Sequence, residues 1–214
     1  MGDTAAARQS GTVFRPLVAF DFDGTLTSRD SFLAFLAWRS GARRYATGLL
    51  GLAPAAAGYL SHLDRGRLKS ALIRRFLRGV PRAELERQAQ AFAGHAAPGL
   101  FRPDALRAWR RWQAEGARLV IVTASPEPTV APFARGLGAD ALIATRLACD
   151  AEGKITGELD GLNCRGPEKA RRLRETFGPD VVLEAAYGDT SGDREMLAMA
   201  EERGMKVFNG KSRQ

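Results

Sequence analysis

The sequence has few of the residues that build disulfide scaffolds or transition-metal sites. Only two cysteines, Cys149 and Cys164, and two histidines, His62 and His95, occur among 214 residues. A disulfide framework and a zinc site rich in Cys or His are therefore excluded. Any metal that this chain binds is expected to be a hard cation held by carboxylates.

Acidic residues are also in the minority. The chain has 24 Asp and Glu against 32 Lys and Arg, a net charge of +8, within a composition typical of a soluble globular protein. Such a balance favours nucleic acid, an anionic membrane surface or a phosphorylated substrate as partner. The first fifteen residues lack the apolar stretch of a secretory signal, so we expect residues 1–16 to be a flexible tail of a cytoplasmic protein.

One long stretch lacks charge altogether. No Asp, Glu, Lys or Arg occurs from Tyr45 to Leu63, which is the length of a membrane-spanning helix. Three glycines and Pro54 interrupt this stretch and disfavour a continuous helix. We expect two short helices that meet near Pro54 and pack inside a helical subdomain, with contact to a membrane surface as the alternative.

Apolar runs of strand length alternate with segments of helical spacing. Strands are predicted at Leu17–Phe22, Arg118–Thr123, Val181–Tyr187 and Met205–Phe208, with a small β excursion around Ala141–Leu159. Helices are predicted at Pro103–Glu115, Pro128–Leu137, Gly166–Phe177 and Arg194–Arg203. This alternation predicts an α/β fold with a Rossmann-like parallel sheet and helices on both of its faces.

The interval between the first two strands contains no convincing strand. Helices are predicted there at Ser31–Arg39, Arg43–Leu50, Ala55–Leu63, Arg67–Leu77 and Arg82–Ala93, followed by a break at Ala97-Pro98-Gly99. We therefore expect residues 30–102 to form an all-helical cap, inserted into a catalytic core of residues 17–29 and 103–214. These boundaries also separate the charge: residues 29–103 carry 13 Lys and Arg against 4 Asp and Glu, whereas the remainder carries 19 against 20.

Polar side chains follow three of the predicted strands. They are Asp21 and Asp23 after the first, Thr123 and Ser125 after the second, and Asp189 and Asp193 after the third, with Lys169 near the start of the preceding helix. Parallel strands bind ligands at their carboxyl ends, so these groups are expected to converge. Clustered acids repel unless a cation neutralises them, which favours Mg²⁺. A metal, a lysine and a hydroxyl around a free carboxylate indicate phosphoryl transfer to an aspartate.

Four of these segments together resemble a known family. Asp21-x-Asp23-Gly24-Thr25, Thr123, Lys169 and Gly188-Asp189-(x)₃-Asp193, separated by 102, 46 and 20 residues, resemble the four motifs of the haloacid dehalogenase superfamily. The helical insertion resembles the C1 cap of the phosphoserine-phosphatase-like branch, subfamily IB. The basic, apolar insertion is also similar to that of phosphatidylglycerophosphatase C-like members.

The resemblance implies a role for each motif residue. Asp21 would be the nucleophile that forms an aspartyl-phosphate, and Asp23 would protonate the leaving oxygen and then activate water. Thr123 and Lys169 would bind the transferring phosphoryl group. The implied Mg²⁺ ligands are Asp21, the backbone carbonyl of Asp23 and Asp189, with Asp193 positioned around the metal.

The sequence identifies the substrate less sharply. Ser125, Arg43 and Arg67 are candidate substrate contacts, and Arg44, Arg65, Lys69, Arg74 and Arg75 are further cations of the insertion. Thr123-Ala124-Ser125 replaces the Ser-Gly-Gly of phosphoserine phosphatases, which weakens the case for phosphoserine. We expect a small soluble phosphomonoester, with a lipid phosphate at a membrane surface as the first alternative. A non-catalytic basic binding protein is the second, although no nucleic-acid-binding signature is present.

Overall fold

The computed structural model describes residues 15–52 and 65–211, except for the side chains of residues 65–67. Its strands are β1 (Leu17–Phe20), β2 (Arg118–Pro126), β3 (Ala141–Thr145), β4 (Leu147–Cys149), β5 (Ile155–Leu159), β6 (Leu183–Gly188) and β7 (Ala200–Met205). Its helices are α1 (Ser31–Leu50), α2 (Arg65–Leu77), α3 (Arg82–Leu100), α4 (Pro103–Ala114), α5 (Glu127–Leu137), α6 (Pro167–Phe177) and α7 (Arg194–Leu197), the last preceded by a 3₁₀ turn at Ser191–Asp193.

Five parallel strands form the central sheet, in the order β3-β2-β1-β6-β7. The first strand of the chain thus lies in the middle, where Ala19 pairs with Val120 on one side and with Ala186 on the other. The predicted α/β fold with a Rossmann-like parallel sheet is confirmed. The carboxyl ends of β1, β2 and β6 consequently lie side by side.

Both faces of the sheet are buried at its centre, which explains why β1 is apolar throughout rather than alternating. Val18 and Phe20 pack in one cluster with side chains such as Trp109 of α4. Ala19 points to the opposite face and packs in a second cluster with Leu173 of α6. Helices therefore cover both faces, as the sequence predicts.

The last strand differs from its prediction. A helix was expected at Arg194–Arg203 and a strand at Met205–Phe208, but α7 ends at Leu197 and the strand is Ala200–Met205. This strand lies at the edge of the sheet, where charged side chains such as Glu201 and Arg203 stay exposed to solvent. Because its pattern is polar and faces solvent, a search for apolar runs does not identify this strand.

The elements described between β1 and α4 are all helices, with two differences from the prediction. Gly41, with a φ of 73°, kinks α1 at the point that separates the two helices predicted there. Helix α3 continues through Pro98 to Leu100 instead of ending near Ala93, because Ala96 and Leu100 remain buried against the core. The helix predicted at Ala55–Leu63, and its meeting with its neighbour near Pro54, lie outside the described residues.

The predicted β excursion divides into two parts. Ala141–Thr145 joins the central sheet as β3, whereas β4 and β5 form a separate antiparallel hairpin. This hairpin contacts the turn between α2 and α3 through three backbone bonds: Gly79 N to Ile155 O (2.7 Å), Ile155 N to Val80 O (2.9 Å) and Arg82 N to Gly153 O (2.9 Å). The hairpin thus links the core to the insertion.

The flexible tail and the contact with a membrane are the remaining predictions. Residues 15 and 16, expected to end the flexible tail, are bound to the sheet: Arg118 N donates to Pro16 O (2.7 Å) and Arg15 Nε to Gly116 O (2.8 Å). Residues 1–14 of that tail lie outside the described residues. Within residues 15–52 and 65–211, no helix is both long enough and apolar enough to cross a bilayer.

Candidate active site

The polar groups that follow β1, β2 and β6 line one cavity of about 390 Å³ at the carboxyl edge of the sheet. Asp21 directly follows β1, Thr123 lies within β2, and Asp189 and Asp193 follow β6. Lys169, in the first turn of α6, completes the group. The structure therefore brings together the six motif residues that the sequence predicts, Asp23 included.

Lys169 lies at the centre of the site and is 1% exposed. Its Nζ is 2.6 Å from Asp21 Oδ1, 2.7 Å from Asp193 Oδ1 and 2.6 Å from the carbonyl oxygen of Val122. Burial alone would lower the pKa of Lys169, but the two carboxylates outweigh burial and raise it. The ammonium group is therefore charged and fixed in position by three acceptors.

Asp21 is held between opposing influences. Burial raises the pKa of its carboxyl group to about 7, even though Lys169 acts to lower it and the neighbouring acids Asp193 and Asp23 add to the increase. Its second oxygen, Oδ2, accepts a long hydrogen bond of 3.4 Å from Thr25 Oγ1. One oxygen of Asp21 is thus committed to Lys169, and the other is only weakly held.

Three carboxylates fit a hard divalent cation. Asp21, Asp189 and Asp193 each offer one oxygen, and these three atoms lie within 4.8 Å of one another. Gly24 allows this approach, because a Cβ at that position would lie 2.2 Å from Asp189 Oδ2, and its φ of 86° also favours glycine. An all-oxygen donor set suits Mg²⁺, which takes one or two carboxylates and keeps several waters.

Asp193 is hydrogen-bonded through both of its carboxylate oxygens. Lys169 occupies its Oδ1, while its Oδ2 accepts from Thr190 N (2.8 Å), Thr190 Oγ1 (3.0 Å) and Asp189 N (3.2 Å). Burial acts to raise the pKa of Asp193, but Lys169 and the Thr190 donors hold it below the ordinary value. Asp193 therefore shapes the loop after β6 and anchors Lys169.

Asp23 faces two donors that fix its carboxyl group. Its Oδ1 accepts from the backbone N–H of Ser31, the first residue of α1, at 2.7 Å, and its Oδ2 accepts from Ser125 Oγ. Ser125 was predicted to contact substrate, but it does not line the cavity. Thr123 Oγ1 accepts from Ser125 N (3.0 Å) and so keeps its own proton for donation into the cavity.

The insertion contributes Lys69 and an apolar wall to the cavity. Lys69 of α2 lines the cavity and donates to the carbonyl oxygen of Ala124, 2.8 Å away. Burial lowers its pKa, although Asp23 and Asp30 oppose this effect. The apolar part of the wall is formed by Phe32, Leu33, Leu68 and Leu72.

The two substrate contacts predicted in the insertion are not seen at this wall. Arg43 is exposed and is not among the residues that line the cavity, the side chain of Arg67 lies outside the described residues, and both contacts stay predictions. The cavity also contains Arg29 and Arg165, which sequence reasoning missed. Their only sequence signal is position: Arg29 precedes the capping residue of α1, and Arg165 lies four residues before Lys169.

Comparisons with known proteins agree with this geometry. A family model described as haloacid dehalogenase-like hydrolase matches residues 18–198. The chain is 61% identical over 195 residues to Protein CicA of Caulobacter vibrioides, covering 91% of this chain and 87% of that protein. It is 30% identical over 188 residues to a phosphoserine phosphatase of Halobacterium salinarum, covering 86% and 82% of the two chains.

The fold has a similar counterpart among solved structures. A phosphoserine phosphatase solved as an analogue of its phospho-aspartyl intermediate superposes with a TM-score of 0.60 at 19% identity. The match covers 90% of this chain and 88% of that one.

Proposed function

Because this chain belongs to the haloacid dehalogenase-like hydrolase family, we propose that it is a Mg²⁺-dependent phosphatase that hydrolyses a small phosphomonoester through an aspartyl-phosphate on Asp21. The observation that carries the proposal is the buried Asp21 carboxylate, which lines the cavity with one oxygen on Lys169 and the other weakly held. The name of the Halobacterium relative and the aspartyl intermediate in the similar structure support the same chemistry.

In the first half-reaction, an oxygen of Asp21 attacks the phosphorus atom of the substrate. The bond between phosphorus and the leaving oxygen breaks, and Asp23 donates a proton to that oxygen. Ser31 and Ser125 hold the Asp23 carboxyl group in a fixed orientation for this transfer. The products of this step are an alcohol and an aspartyl-phosphate.

In the second half-reaction, Asp23 accepts a proton from water. The water oxygen attacks phosphorus, the bond to Asp21 breaks, and inorganic phosphate leaves with the carboxylate restored.

The remaining residues stabilise the phosphoryl group. Lys169 neutralises part of its charge, and Thr123 donates a hydrogen bond to one of its oxygens. Asp21 and Asp189 would hold Mg²⁺ together with the backbone carbonyl of Asp23, and Asp193 would support them. Bound there, Mg²⁺ supplies positive charge to the oxygens of the transferring group.

We also propose that residues 30–102 act as a cap over a core of residues 17–29 and 103–214, and that the cap determines which leaving group is accepted. Lys69 and the apolar wall support this division, because they reach the cavity from the insertion while the reacting groups come from the core.

The test is phosphate release from a panel of amino-acid, sugar, nucleotide and lipid phosphates, with and without Mg²⁺. We expect at least one phosphomonoester to be hydrolysed, EDTA to abolish the activity, and Asp21→Asn to reduce it by at least about 1,000-fold, because the nucleophile is lost. Asp180→Asn makes the same chemical change at an exposed position and serves as the matched control.

Two results would contradict the proposal. One is the absence of release from every phosphate in the panel. The other is an Asp21→Asn variant that retains the activity of the Asp180→Asn control.

A further inference from the structure

The cavity holds several cations in addition to Lys169. Arg29 precedes α1, Lys69 belongs to α2, and Arg165 lies in the segment before α6, so three separate parts of the chain supply them. Under the proposed function, Lys169 and Mg²⁺ already serve the transferred phosphoryl group. The cavity also holds five carboxylates, Asp21, Asp23, Asp30, Asp189 and Asp193, so a second negative group on the substrate requires a cation that these acids do not already pair with.

Arg165 is the cation best placed for such a group. Its Nη1 is 3.4 Å from Thr190 Oγ1 and its Nη2 is 3.2 Å from Ser191 Oγ, both in the loop between Asp189 and Asp193. These two hydroxyl groups orient the guanidinium but carry no negative charge to neutralise its positive charge. A guanidinium has five N–H donors, so the two contacts leave donors for a carboxylate or phosphate.

Gly192 makes the space that this arginine occupies. A Cβ at position 192 would lie 2.3 Å from Arg165 Nη1 and 2.7 Å from its Cγ and Cζ. The φ of Gly192 is not in the left-handed region, so the backbone does not require glycine there. Glycine at this position is explained by the side chain of Arg165, which the loop must admit.

From this pair of residues we propose that Arg165 binds a second anionic group, a carboxylate or a phosphate, on the leaving part of the substrate. The inference rests on the proposed phosphatase function and adds the class of substrate. Phe32, Leu68 and Leu72 line the insertion side of the same cavity and would contact the carbon chain that joins the two anionic groups. Arg165 is thus a determinant of specificity.

Three substrates of one chain length test the proposal: propyl phosphate, 3-phosphooxypropanoate and propane-1,3-diol bisphosphate. We expect kcat/KM of the wild type to be about 10-fold or more higher for at least one doubly anionic substrate than for propyl phosphate. Preference for the carboxylate or for the bisphosphate identifies which anion is recognised. Arg165→Gln is expected to reduce this preference by about 10- to 100-fold, the effect of losing a hydrogen bond to a charged group.

Two further variants separate binding from simple damage. Gly192→Ala should reduce the preference because its methyl group displaces Arg165, and adding it to Arg165→Gln should cause no further reduction. Arg174→Gln removes the same charge from an exposed position of α6 that does not line the cavity, and it should leave the preference unchanged.

The inference and the proposed function fail in different ways. Equal kcat/KM of the wild type for all three substrates overturns the role of Arg165 and leaves the phosphatase activity intact. An Arg165→Gln variant that loses the same factor on all three also overturns it, because the residue would then act only on the shared site. If the wild type hydrolyses no phosphomonoester at all, the proposed function fails and the inference fails with it.

Discussion

The fold gives the hydroxyl group of Ser125 a different role from the one that the sequence suggests. Its Oγ donates to Asp23, and its backbone N–H donates to Thr123 Oγ1, so it joins two groups of the site without lining the cavity. We infer that Ser125 is a positioning residue, which acts on the reaction through the Asp23 carboxyl group.

Replacement of Ser125 by alanine separates this role from substrate binding. Asp23 would lose one of the two donors that hold it in the described part of the chain, so its proton transfer would slow, and we expect kcat to fall by about 10-fold with little change in KM. Steady-state kinetics on the best substrate of the panel measure both constants. A rise in KM at unchanged kcat would instead support the substrate contact predicted from sequence, and Ser70→Ala, in α2, is the matched control.

The sequence predicted the reacting residues better than their surroundings. Asp21, Thr123 and Lys169 could be placed because strand ends are recognisable and parallel strands bring their ends together. Arg43 could not, because the kink at Gly41 breaks the helical spacing that would relate its face to the buried start of α1. Arg165 lies in a loop, where no periodicity indicates the direction of a side chain.

Helix α6 illustrates how one element fixes the position of a buried lysine. Glu168, adjacent to Lys169, is buried and accepts hydrogen bonds of 2.7 Å from Arg171 and Arg172. Arg172 in turn donates to the carbonyl oxygens of Ala144 and Leu162, at 2.7 Å each. This network attaches the first turn of α6 to β3 and to the segment before the helix.

The charge of Glu168 makes part of the stability depend on pH. The arginines, Arg171 foremost, lower the pKa of Glu168 to about 2 although burial opposes them. A carboxyl group with a lowered pKa stabilises the fold above its unfolded value of about 4.3, and this contribution is lost as pH falls toward 2.

We therefore expect Glu168→Gln to lower the free energy of unfolding at pH 7 by about 1.5–3 kcal/mol. The difference from wild type should shrink below about pH 4.3 and disappear near pH 2, where the native carboxyl group is also protonated. Urea titrations across this pH range measure it. Glu175→Gln, at an exposed partner of Arg171, should cost little at any pH, and a pH-independent loss in Glu168→Gln would contradict the assignment.

Strand β7 marks the limit of prediction at the scale of elements. Strand β1 is apolar along its whole length and β2 is apolar from Leu119 to Val122, and both are predicted close to their observed positions. Edge strands keep polar residues toward solvent, so β7 was mistaken for the end of a helix. Whether such a segment forms a strand depends on the strand with which it pairs, and the local sequence does not contain that information.

At the scale of the whole molecule, the hairpin β4–β5 joins the core to the insertion. Gly157 lies at this junction, where a Cβ would come within 3.1 Å of Arg74 Cα in α2. Gly153, at the tip of the same hairpin, also has a positive φ but no heavy atom within 4 Å of its virtual Cβ. The two glycines therefore share their backbone requirement and differ in the space around the Cβ position.

Alanine at each position tests whether this junction is tight. Both variants should lose about 1–2 kcal/mol of unfolding free energy to backbone strain, and Gly157→Ala should lose about 1–3 kcal/mol more to crowding against α2. Thermal or urea unfolding gives these values. Equal losses would mean that the hairpin and α2 separate at little cost.

The position of β1 has a consequence for synthesis of the chain. Val18 pairs with Leu119 on one side and with Ala185 on the other, so both neighbours of β1 are translated long after it. Until β6 emerges from the ribosome, this apolar strand has an unpaired edge. Until α6 emerges, Asp21 has no Lys169 beside it. Chains cut short before α6 would therefore be inactive and prone to aggregate, and the nucleophile is assembled only when the last third of the protein has been made.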